Sequence, residues 1–379
     1  DAVTTATRVH MACSFSAPPR AELFASVSDD GRLSIYETAT STLAQTLTQP
    51  SHLALKHTCI AFHGAAASDV APALLALGTD TGSILLWDVQ RATLLRTINA
   101  HAAKVSDVAF DVTGELLYSC SEDKHVCVWE VRSGAQRAQH KKGKVAISRI
   151  MLSPDGKHAL LASTSLKLMR LDKWKRVLQL PGHAEATRCV SVSADGLLAL
   201  SSDGSRHASL WRLDLSNKDA DADASAAAVA TMPFEAGVAQ LAFLHTQAST
   251  CVFFVLTADG KLSVWRTPTK ALFASGKKTK KQLQLPPKCS LIQVAAEESD
   301  TAAGGGGADP QRIQQAILVS EDEILVAHGA QLRPTFSRCK FVAPDGEPIK
   351  QIVLPRVSQG LLASEAPSAG GAKRKRADK

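Results

Sequence analysis

Four side chains in one stretch of the sequence have types that could do chemistry together. His101 is followed by Ser119 and Asp123, and the stretch ends at Trp129. Serine, histidine and aspartate can form a nucleophilic triad, in which histidine takes the serine proton and aspartate orients the histidine. The G-x-S-x-G sequence that places such a serine on a sharp strand-to-helix turn is absent. The other interpretation is a buried structural group, because these polar atoms are costly to bury alone and can satisfy one another.

The elements that must position these residues are short, repeated strands. Each repeat has a turn with Asp or Gly, then alternating apolar residues, then an aromatic residue. The five clear copies are DGRLSIY (to Tyr36), TGSILLW (to Trp87), DKHVCVW (to Trp129), SRHASLW (to Trp211) and DGKLSVW (to Trp265). A degenerate copy, SLKLM, ends at Met169, and a fainter one, DEILVA, ends at Ala327. Such alternation between turn signals predicts antiparallel β-strands.

The spacing of the copies predicts the fold. Trp129 lies 42 residues after Trp87, Met169 another 40 later, and Trp211 another 42 later. A four-stranded propeller blade takes about 40–45 residues. We therefore predict an all-β chain with a single seven-bladed β-propeller over residues 1–360 and a disordered basic C-terminal tail over 361–379. The longer intervals contain predicted loop insertions near 63–72, 216–230 and 297–311, which are too poor in apolar residues to be ordered by burial.

The stretch ending at Trp129 resembles the WD-repeat family. Many blades of that family carry a buried tetrad of His, Ser or Thr, Asp and Trp, with the Ser or Thr ten residues and the Asp six residues before the Trp. The resemblance implies that His101, Ser119, Asp123 and Trp129 form a structural tetrad. It also implies that the chain has no catalytic residues.

Other blades retain parts of this pattern. Blade five keeps a partial tetrad of His183, Ser201 and Trp211, with Ser205 at the position where Asp is expected. Blade one keeps Ser26, Asp30 and Tyr36, and blade six keeps Asp259 and Trp265 without the His. We expect the incomplete blades to depend more on apolar packing.

Composition excludes several classes of protein. The chain is 45% hydrophobic, but no apolar run approaches the roughly 18 residues of a membrane span. Its eight cysteines include no C-x-x-C pair, and the nearest metal-like spacing is Cys59 with His63, inside an apolar run. A zinc site needs four ligands. We therefore expect no metal, no cofactor and a reducing compartment.

Basic clusters are the main candidate contacts with a partner. The net charge is +7. The clustered residues are Lys141, Lys142 and Lys144; Lys173, Lys175 and Arg176; and Lys277, Lys278, Lys280 and Lys281. They follow third-strand copies by several residues, which places them on outer strands or loops. They could neutralise RNA phosphates or contact another partner, and Trp174 could stack on a base. They could equally be solvated edge residues.

The tail carries a short basic cluster. Lys373, Arg374, Lys375 and Arg376 follow a stretch rich in Ser, Ala and Gly. Such a cluster on a flexible tail favours a nuclear localisation signal or a phosphate-binding patch. An ordinary solvated tail is the alternative.

Longer strings resemble one particular WD-repeat family. They are LLALGTDTGSILLWD at Leu74–Asp88 and LLYSCSEDKHVCVWEV at Leu116–Val131, followed in order by SPDGKHALLAS, TSLKLMRLD and LPGHAEATRCV. Over roughly Ala25 to Trp265 the chain resembles the Utp5-type family, also called the WD repeat-containing protein 43 family. Family members usually continue into a C-terminal helical domain, and this sequence reaches Lys379 without such a pattern. We expect either a shortened version or a recorded chain that omits the domain.

The resemblance implies a function. It is that of a non-catalytic scaffold subunit of the small-subunit processome, in its UtpA or t-UTP subcomplex. The subunit would act in early pre-rRNA binding and 18S rRNA maturation, with a link to RNA polymerase I transcription. The implied partners are the other UtpA propeller subunits, the pre-rRNA 5′ external spacer (directly or indirectly) and the U3 ribonucleoprotein, with no membrane. The implied location is the nucleus and nucleolus. A nuclear WD-repeat adaptor, such as a ubiquitin-ligase substrate receptor or a chromatin complex subunit, is the alternative.

Overall fold

The structure, a computed structural model, is an all-β propeller of seven blades, which confirms the predicted fold class. It describes residues 10–13, 23–27, 32–47, 56–64, 73–141, 144–213, 228–246, 250–268, 290–296, 313–320, 323–330, 333–340 and 351–354. These residues form 28 strands and no helix. Successive strands of a blade pair antiparallel, as the short alternating runs between turns predict.

The first three blades each contain four consecutive strands. Blade one contains β1 (His10–Cys13), β2 (Leu23–Val27), β3 (Leu33–Glu37) and β4 (Leu43–Leu47). Blade two contains β5 (His57–His63), β6 (Leu74–Thr79), β7 (Ser83–Asp88) and β8 (Thr93–Asn99). Blade three contains β9 (Val105–Phe110), β10 (Leu116–Ser121), β11 (His125–Glu130) and β12 (Gln136–Lys141).

Blades four and five repeat this plan. Blade four contains β13 (Arg149–Leu152), β14 (His158–Ala162), β15 (Leu166–Arg170) and β16 (Lys175–Leu180). Blade five contains β17 (Cys189–Val192), β18 (Leu198–Ser202), β19 (His207–Arg212) and β20 (Ala228–Pro233). The degenerate copy that ends at Met169 thus forms the third strand of a complete blade.

The last two blades depart from the four-strand plan. Blade six contains β21 (Val238–Thr246), β22 (Thr250–Thr257), β23 (Leu262–Pro268) and β24 (Ser290–Ala296). Blade seven contains β25 (Ile313–Ser320), β26 (Glu323–Ala330) and β27 (Arg333–Lys340). The chain then returns to blade six, where β28 (Gln351–Leu354) pairs in parallel with β24 as a fifth strand.

The core lies between neighbouring blades, because the second strand of each blade is buried on both faces. In blades two and three, for example, Cys59 and Ile84 pack with Val105 and Leu117. The first strands lie innermost, and side chains tie them to backbone atoms of the next blade. These hydrogen bonds are Thr58 Oγ1 to Val105 O (2.6 Å), Arg149 Nε to Arg188 O (2.7 Å), Cys189 Sγ to Ala239 O (3.1 Å) and Gln240 Nε2 to Ala316 O (2.7 Å).

Blades seven and one meet through side chains. Phe24 of blade one is fully buried and packs with Val319 and Leu325 of blade seven. The rings of Phe24, Tyr36 and Phe336 lie 4.7–4.9 Å apart, centre to centre. Within the described residues, these contacts between the C-terminal blade seven and the N-terminal blade one close the ring.

Three boundaries predicted from the sequence need correction. The faint copy DEILVA lies in β26, the second strand of blade seven, and not in a third strand; its residues are apolar at consecutive positions because both faces are buried. The insertion predicted to reach residue 230 ends earlier, because Ala228–Pro233 pairs with β19. The insertion predicted from residue 63 begins later, because His63 ends β5. The third insertion and the tail lie outside the described residues.

Two further findings concern the cysteines and membrane-spanning helices. Six described cysteines are free thiols: Cys59, Cys120, Cys127, Cys189, Cys251 and Cys339. Within the described ranges, no helix could span a membrane.

Candidate functional site

The four tetrad residues of blade three come together as one hydrogen-bonded chain. His101 lies in the connection before β9, Ser119 in β10, Asp123 in the turn between β10 and β11, and Trp129 in β11. Asp123 Oδ2 lies 2.9 Å from His101 Nδ1, and His101 Nε2 lies 2.8 Å from Ser119 Oγ. The indole N–H of Trp129 donates to Ser119 Oγ over 2.9 Å. The chain therefore runs from carboxylate to imidazole to hydroxyl to indole.

The electrostatics of this group favour a neutral histidine. Burial lowers the pKa of His101 below its ordinary value, although the charge of Asp123 opposes the shift. Burial alone would raise the pKa of Asp123, but hydrogen bonds from the His125 N–H, from His101 and from the Ala102 N–H outweigh it and lower that pKa. Neutral His101 donates from Nδ1 to the carboxylate and accepts the Ser119 proton at Nε2.

The same geometry argues against nucleophilic catalysis. Ser119 and the side chain of His101 are both 0% exposed. The second lone pair of Ser119 Oγ accepts the Trp129 N–H, so attack on a substrate would require both opening the blade and breaking that hydrogen bond. What the arrangement can do is hold the turn at Asp123 against the connection that carries His101.

Blade five contains the same core of three residues. His183 Nε2 and Trp211 Nε1 each lie 2.7 Å from Ser201 Oγ. Ser205, at the expected Asp position, is not the acid of this blade. Asp203 accepts the backbone N–H of Ser205 at 2.9 Å and that of Glu185 at 3.4 Å.

Sequence reasoning missed Asp203 because it lies two positions before the place that Asp123 has in blade three, although the serine-to-tryptophan spacing of the two blades is the same. Burial would raise its pKa, but hydrogen bonds from Ser205 and Glu185 and the neighbouring His183 lower it. The Asp-Gly pair in SSDGSRH was the available signal.

Blades two and six show what happens without the serine. Ten residues before Trp87 stands Leu77, and ten before Trp265 stands Val255. The indole N–H groups of Trp87 and Trp265 are buried and have no hydrogen-bond partner. Buried donors are normally paired, so each of these blades bears the cost of an unsatisfied N–H. In blade one, Ser26 is buried and Asp30 lies outside the described residues.

The described basic residues lie on outer strands and connections. Lys141 ends β12, while Lys175 and Arg176 begin β16. Lys173 lies in the turn before β16, and Lys144 in the connection between blades three and four. Apart from Lys141, whose side chain is not described, all of these are exposed. Lys142, Lys277, Lys278, Lys280, Lys281 and the tail cluster Lys373–Arg376 lie outside the described residues.

Trp174 occupies an unusual backbone position. In four blades the residue five positions after the aromatic site has a positive φ: Ser41, Ala92, Gly134 and Trp174, at 48–73°. That conformation favours glycine and strains a bulky residue. Trp174 stacks on His140 of blade three, with ring centres 4.3 Å apart and planes 28° apart. It therefore packs between two blades, and this contact occupies one face of its ring.

No metal site emerges from the described part of the chain, where no three His, Cys, Asp or Glu residues are grouped to hold an ion. Cys59 is buried, with its Sγ 3.8 Å from Thr58 Oγ1, and the ring of His63 lies 5.7 Å from that of Phe110. Both residues belong to the packing between blades two and three.

Two stretches of the chain, residues 92–130 and 174–212, match the family model of the WD domain, G-beta repeat. Each stretch begins at or near the outer strand of one blade and ends at the third strand of the next. With seven blades in a ring, these matches define a WD40-repeat propeller protein, a class whose members generally act as non-catalytic scaffolds.

Among curated proteins the chain is similar to human WD repeat-containing protein 43, with 31% identity over 191 residues, covering 45% of this chain and 28% of the relative. It is also 31% identical to Nuclear distribution protein PAC1 of Arthroderma otae over 159 residues, 38% of this chain and 34% of the relative. Periodic tryptophan protein 2 homolog of Schizosaccharomyces pombe is 25% identical over 190 residues, 44% and 21% of the two chains. The match spans about a third or less of each of these relatives.

Proposed function

We propose that this chain is a non-catalytic scaffold subunit of the small-subunit processome, in the UtpA or t-UTP subcomplex of the nucleolus. The observation that carries this proposal is the similarity to human WD repeat-containing protein 43, together with the strings at Leu74–Asp88 and Leu116–Val131. The subunit acts in early pre-rRNA binding and 18S rRNA maturation, coupled to RNA polymerase I transcription. Its partners are the other UtpA propellers, the 5′ external spacer and the U3 ribonucleoprotein.

A rigid ring suits this role. The turns and outer strands of the seven blades are exposed on different sides of the ring. The tetrad hydrogen bonds within blades and the side-chain hydrogen bonds between blades keep these surfaces in fixed positions relative to one another. We assign the tetrad of His101, Ser119, Asp123 and Trp129 to this structural task. The basic tail cluster Lys373–Arg376 supports entry into the nucleus.

Direct contact with RNA is part of the proposal, and the distribution of charge supports it. Residues 142–180, which form blade four and the connection before it, hold nine Lys and Arg and only two acidic residues. The whole chain holds 43 Lys and Arg and 36 Asp and Glu, so the residues outside 142–180 hold 34 basic and 34 acidic side chains. The excess charge of the chain therefore equals that of residues 142–180 alone. Exposed Lys173, Lys175 and Arg176 are placed to neutralise phosphates. Since Trp174 is half-buried between His140 and Tyr118, we assign the contact to phosphates and not to base stacking.

Salt dependence tests this contact. Affinity for a transcript of the 5′ external spacer would be measured by filter binding between about 50 and 200 mM salt. Each lost phosphate contact reduces the slope of log affinity against log salt by about 0.7 on a single strand and about 0.9 on a duplex, so Lys173→Gln/Lys175→Gln/Arg176→Gln should reduce it by about 2–3. Lys104→Gln/Arg132→Gln/Arg206→Gln removes the same charge from exposed sites on other blades and should leave the slope unchanged. Equal effects of the two variants would contradict a contact specific to blade four.

A nuclear adaptor is the second candidate, because a WD-repeat relative outside the WD repeat-containing protein 43 family matches at the same 31% identity, so the repeats alone do not select the processome. Affinity purification of the tagged protein from nuclear extract separates the two. A scaffold of the processome copurifies with U3 RNA, pre-rRNA and the sister propellers. Enrichment of ubiquitin-ligase subunits or histones, without U3 RNA, would support the adaptor and contradict the processome role.

A further inference from the structure

Blade seven differs from the other six blades at its outer side. In blades one to six the third strand pairs with a neighbour on each side, whereas β27 pairs only with β26 among the described strands. The chain that follows β27 does not turn back to complete the blade, because the next described strand, β28, lies on blade six. Pro334 lies in β27, and proline is largely confined to edge strands. Within the described residues, one edge of β27 is therefore open to a further strand.

The apolar contacts of other blades show what a fourth strand contributes. The aromatic residue of a third strand shares an apolar cluster with the fourth strand of the preceding blade: Trp87 with Leu47, Trp129 with Ile98, and Trp211 with Leu178. The corresponding aromatic residue of blade one is Tyr36, which packs with Phe24 and Phe336 and is half-buried. No fourth strand of blade seven covers Tyr36 in the described part of the chain.

A leucine beside Tyr36 is exposed for the same reason. Leu43 of β4 is the cross-strand neighbour of Tyr36 and is 55% exposed. The equivalent neighbour of Trp87 is Leu94 of β8, which is half-buried against the cluster that contains Leu47 of the preceding blade. An aliphatic side chain from a strand added to β27 would cover Tyr36 and Leu43 as Leu47 covers Trp87 and Leu94, and removal of this apolar surface from water favours binding.

Charge indicates where such a strand comes from. The charged residues of β27 are Arg333, Arg338 and Lys340, all of them basic. Arg338 is paired with Glu323, whereas Lys340 is exposed at the end of the strand. Opposite charges on neighbouring strands stabilise a sheet, so an acidic residue fits beside Lys340. The described outer strands of this chain, β4, β8, β12, β16, β20, β24 and β28, contain no Asp or Glu. The charge therefore favours a strand from another protein over one from a second copy of this chain.

We propose that the open edge of β27 is a strand-addition site for a protein partner. The partner supplies an extended segment that pairs with β27, places an aliphatic residue over Tyr36 and Leu43, and places a Glu or Asp beside Lys340. Main-chain hydrogen bonds provide the affinity, and these side chains provide the specificity. The site is separate from the phosphate contacts assigned above to blade four. It stands whether or not the chain belongs to the processome.

The test uses three fluorescein-labelled octapeptides on the full chain. One alternates isoleucine with glutamate, one has glutamine in place of glutamate, and one is the glutamate peptide with its two central residues replaced by proline, which cannot donate to a strand. Fluorescence anisotropy should show saturable binding of the glutamate peptide, binding about threefold weaker for the glutamine peptide, and none for the proline peptide. Hydrogen exchange of the β27 amides should slow when the glutamate peptide is added.

Two pairs of variants locate the contact. Leu43→Asp should weaken the glutamate peptide about tenfold, because the aliphatic contact is lost. Leu95→Asp is its matched control, a 44% exposed leucine on the outer strand of blade two, and should bind like the wild type. Lys340→Gln should remove the preference for glutamate over glutamine, whereas Lys157→Gln, at an exposed site on blade four, should retain it. Melting curves of all variants check folding.

Four results would overturn the proposal. One is the absence of saturable binding by the wild-type chain, which is expected if a terminal segment of the same chain already occupies the edge. Another is equal binding of the proline peptide, because main-chain pairing is then not involved. The third is an equal loss in Leu43→Asp and Leu95→Asp, which would place the contact elsewhere. The fourth is a preference for glutamate that persists in Lys340→Gln, which would contradict an acidic partner strand at this edge.

Discussion

Ser119 holds the tetrad together because its single oxygen serves two partners. It accepts the Trp129 N–H and donates its own proton to His101. Asp123 completes the group by accepting from His101, from the His125 N–H at 2.9 Å and from the Ala102 N–H at 3.2 Å. One carboxylate therefore satisfies donors from two segments that are far apart in the sequence.

Removal of this carboxylate should be costly. We expect Asp123→Ala to lower the free energy of unfolding by about 2–3 kcal/mol, because buried donors lose their acceptor. Denaturant-induced unfolding followed by tryptophan fluorescence measures the loss. The neighbouring Glu122→Ala is the control: its carboxylate is 53% exposed and 3.5 Å from Lys104, so its removal should change stability little. Equal stability of the Asp123→Ala protein and the wild type would refute the structural assignment.

The tetrad should also make stability depend on pH. Burial lowers the pKa of His101 below its ordinary 6.5, so the unfolded chain binds this proton more readily than the folded chain. The free energy of unfolding should therefore fall as pH drops below 6.5, until the folded pKa is reached. Burial also lowers the pKa of His183, which adds to this loss of stability at low pH. His101→Gln should give a shallower dependence between pH 7 and 5, and an unchanged dependence would show that His101 does not contribute.

At the scale of a strand, the position that faces the indole holds Ser119 in blade three and Val255 in blade six. Val255 of β22 lies opposite Ser263, as Ser119 of β10 lies opposite Cys127. The two positions are therefore equivalent, and a hydroxyl at 255 would lie where Ser119 accepts from Trp129.

This equivalence predicts that blade six tolerates a buried hydroxyl at position 255. Burying a hydroxyl without a partner costs about 1–3 kcal/mol, and Val326→Thr, a fully buried site in β26 without an indole, should lose that amount. Val255→Thr should stay within about 0.5 kcal/mol of the wild type, because Trp265 N–H gains an acceptor and offsets the cost. Thermal unfolding of both variants tests this, and equal losses would disprove the equivalence.

The sequence predicted the elements well where local patterns are strong. Alternation up to an aromatic residue located the third strands, and even the degenerate copy ending at Met169 has its predicted place. Prediction was weaker where tertiary burial decides. β26 is buried on both faces, so its run of apolar residues has no alternation that could mark its place in the sheet. The acid of blade five was missed because it lies at Asp203, two positions before the place of Asp123, and the spacing from the tryptophan does not indicate this shift.

At the scale of the whole molecule, closure of the ring depends on a few side chains. Arg338 of β27 holds Glu323 through two hydrogen bonds of 2.8 and 2.5 Å and donates to Ala39 O of blade one at 2.9 Å. Between blades two and three, Arg96 Nε likewise donates to Arg132 O, at 3.0 Å. Such contacts join residues that are distant in the sequence, which is why sequence patterns did not indicate them.

We expect Arg338→Leu to destabilise the protein by about 2 kcal/mol, since it leaves Glu323 charged and largely buried. The loss is smaller than for a fully buried pair because Arg338 is 30% exposed. Glu323→Gln/Arg338→Leu should recover part of it, as the unpaired charge is gone. Denaturant unfolding measures both, and a double variant that is no more stable than Arg338→Leu would contradict this view of closure.

The central claim is that this propeller works as a scaffold on nascent pre-rRNA. Ultraviolet crosslinking in cells, followed by purification of the full chain and sequencing of the attached RNA, tests it most directly. The account predicts crosslinks concentrated in the 5′ external spacer, reduced by Lys173→Gln/Lys175→Gln/Arg176→Gln and retained in Lys104→Gln/Arg132→Gln/Arg206→Gln. Crosslinks spread over unrelated transcripts, or absent while U3 RNA fails to copurify, would contradict it.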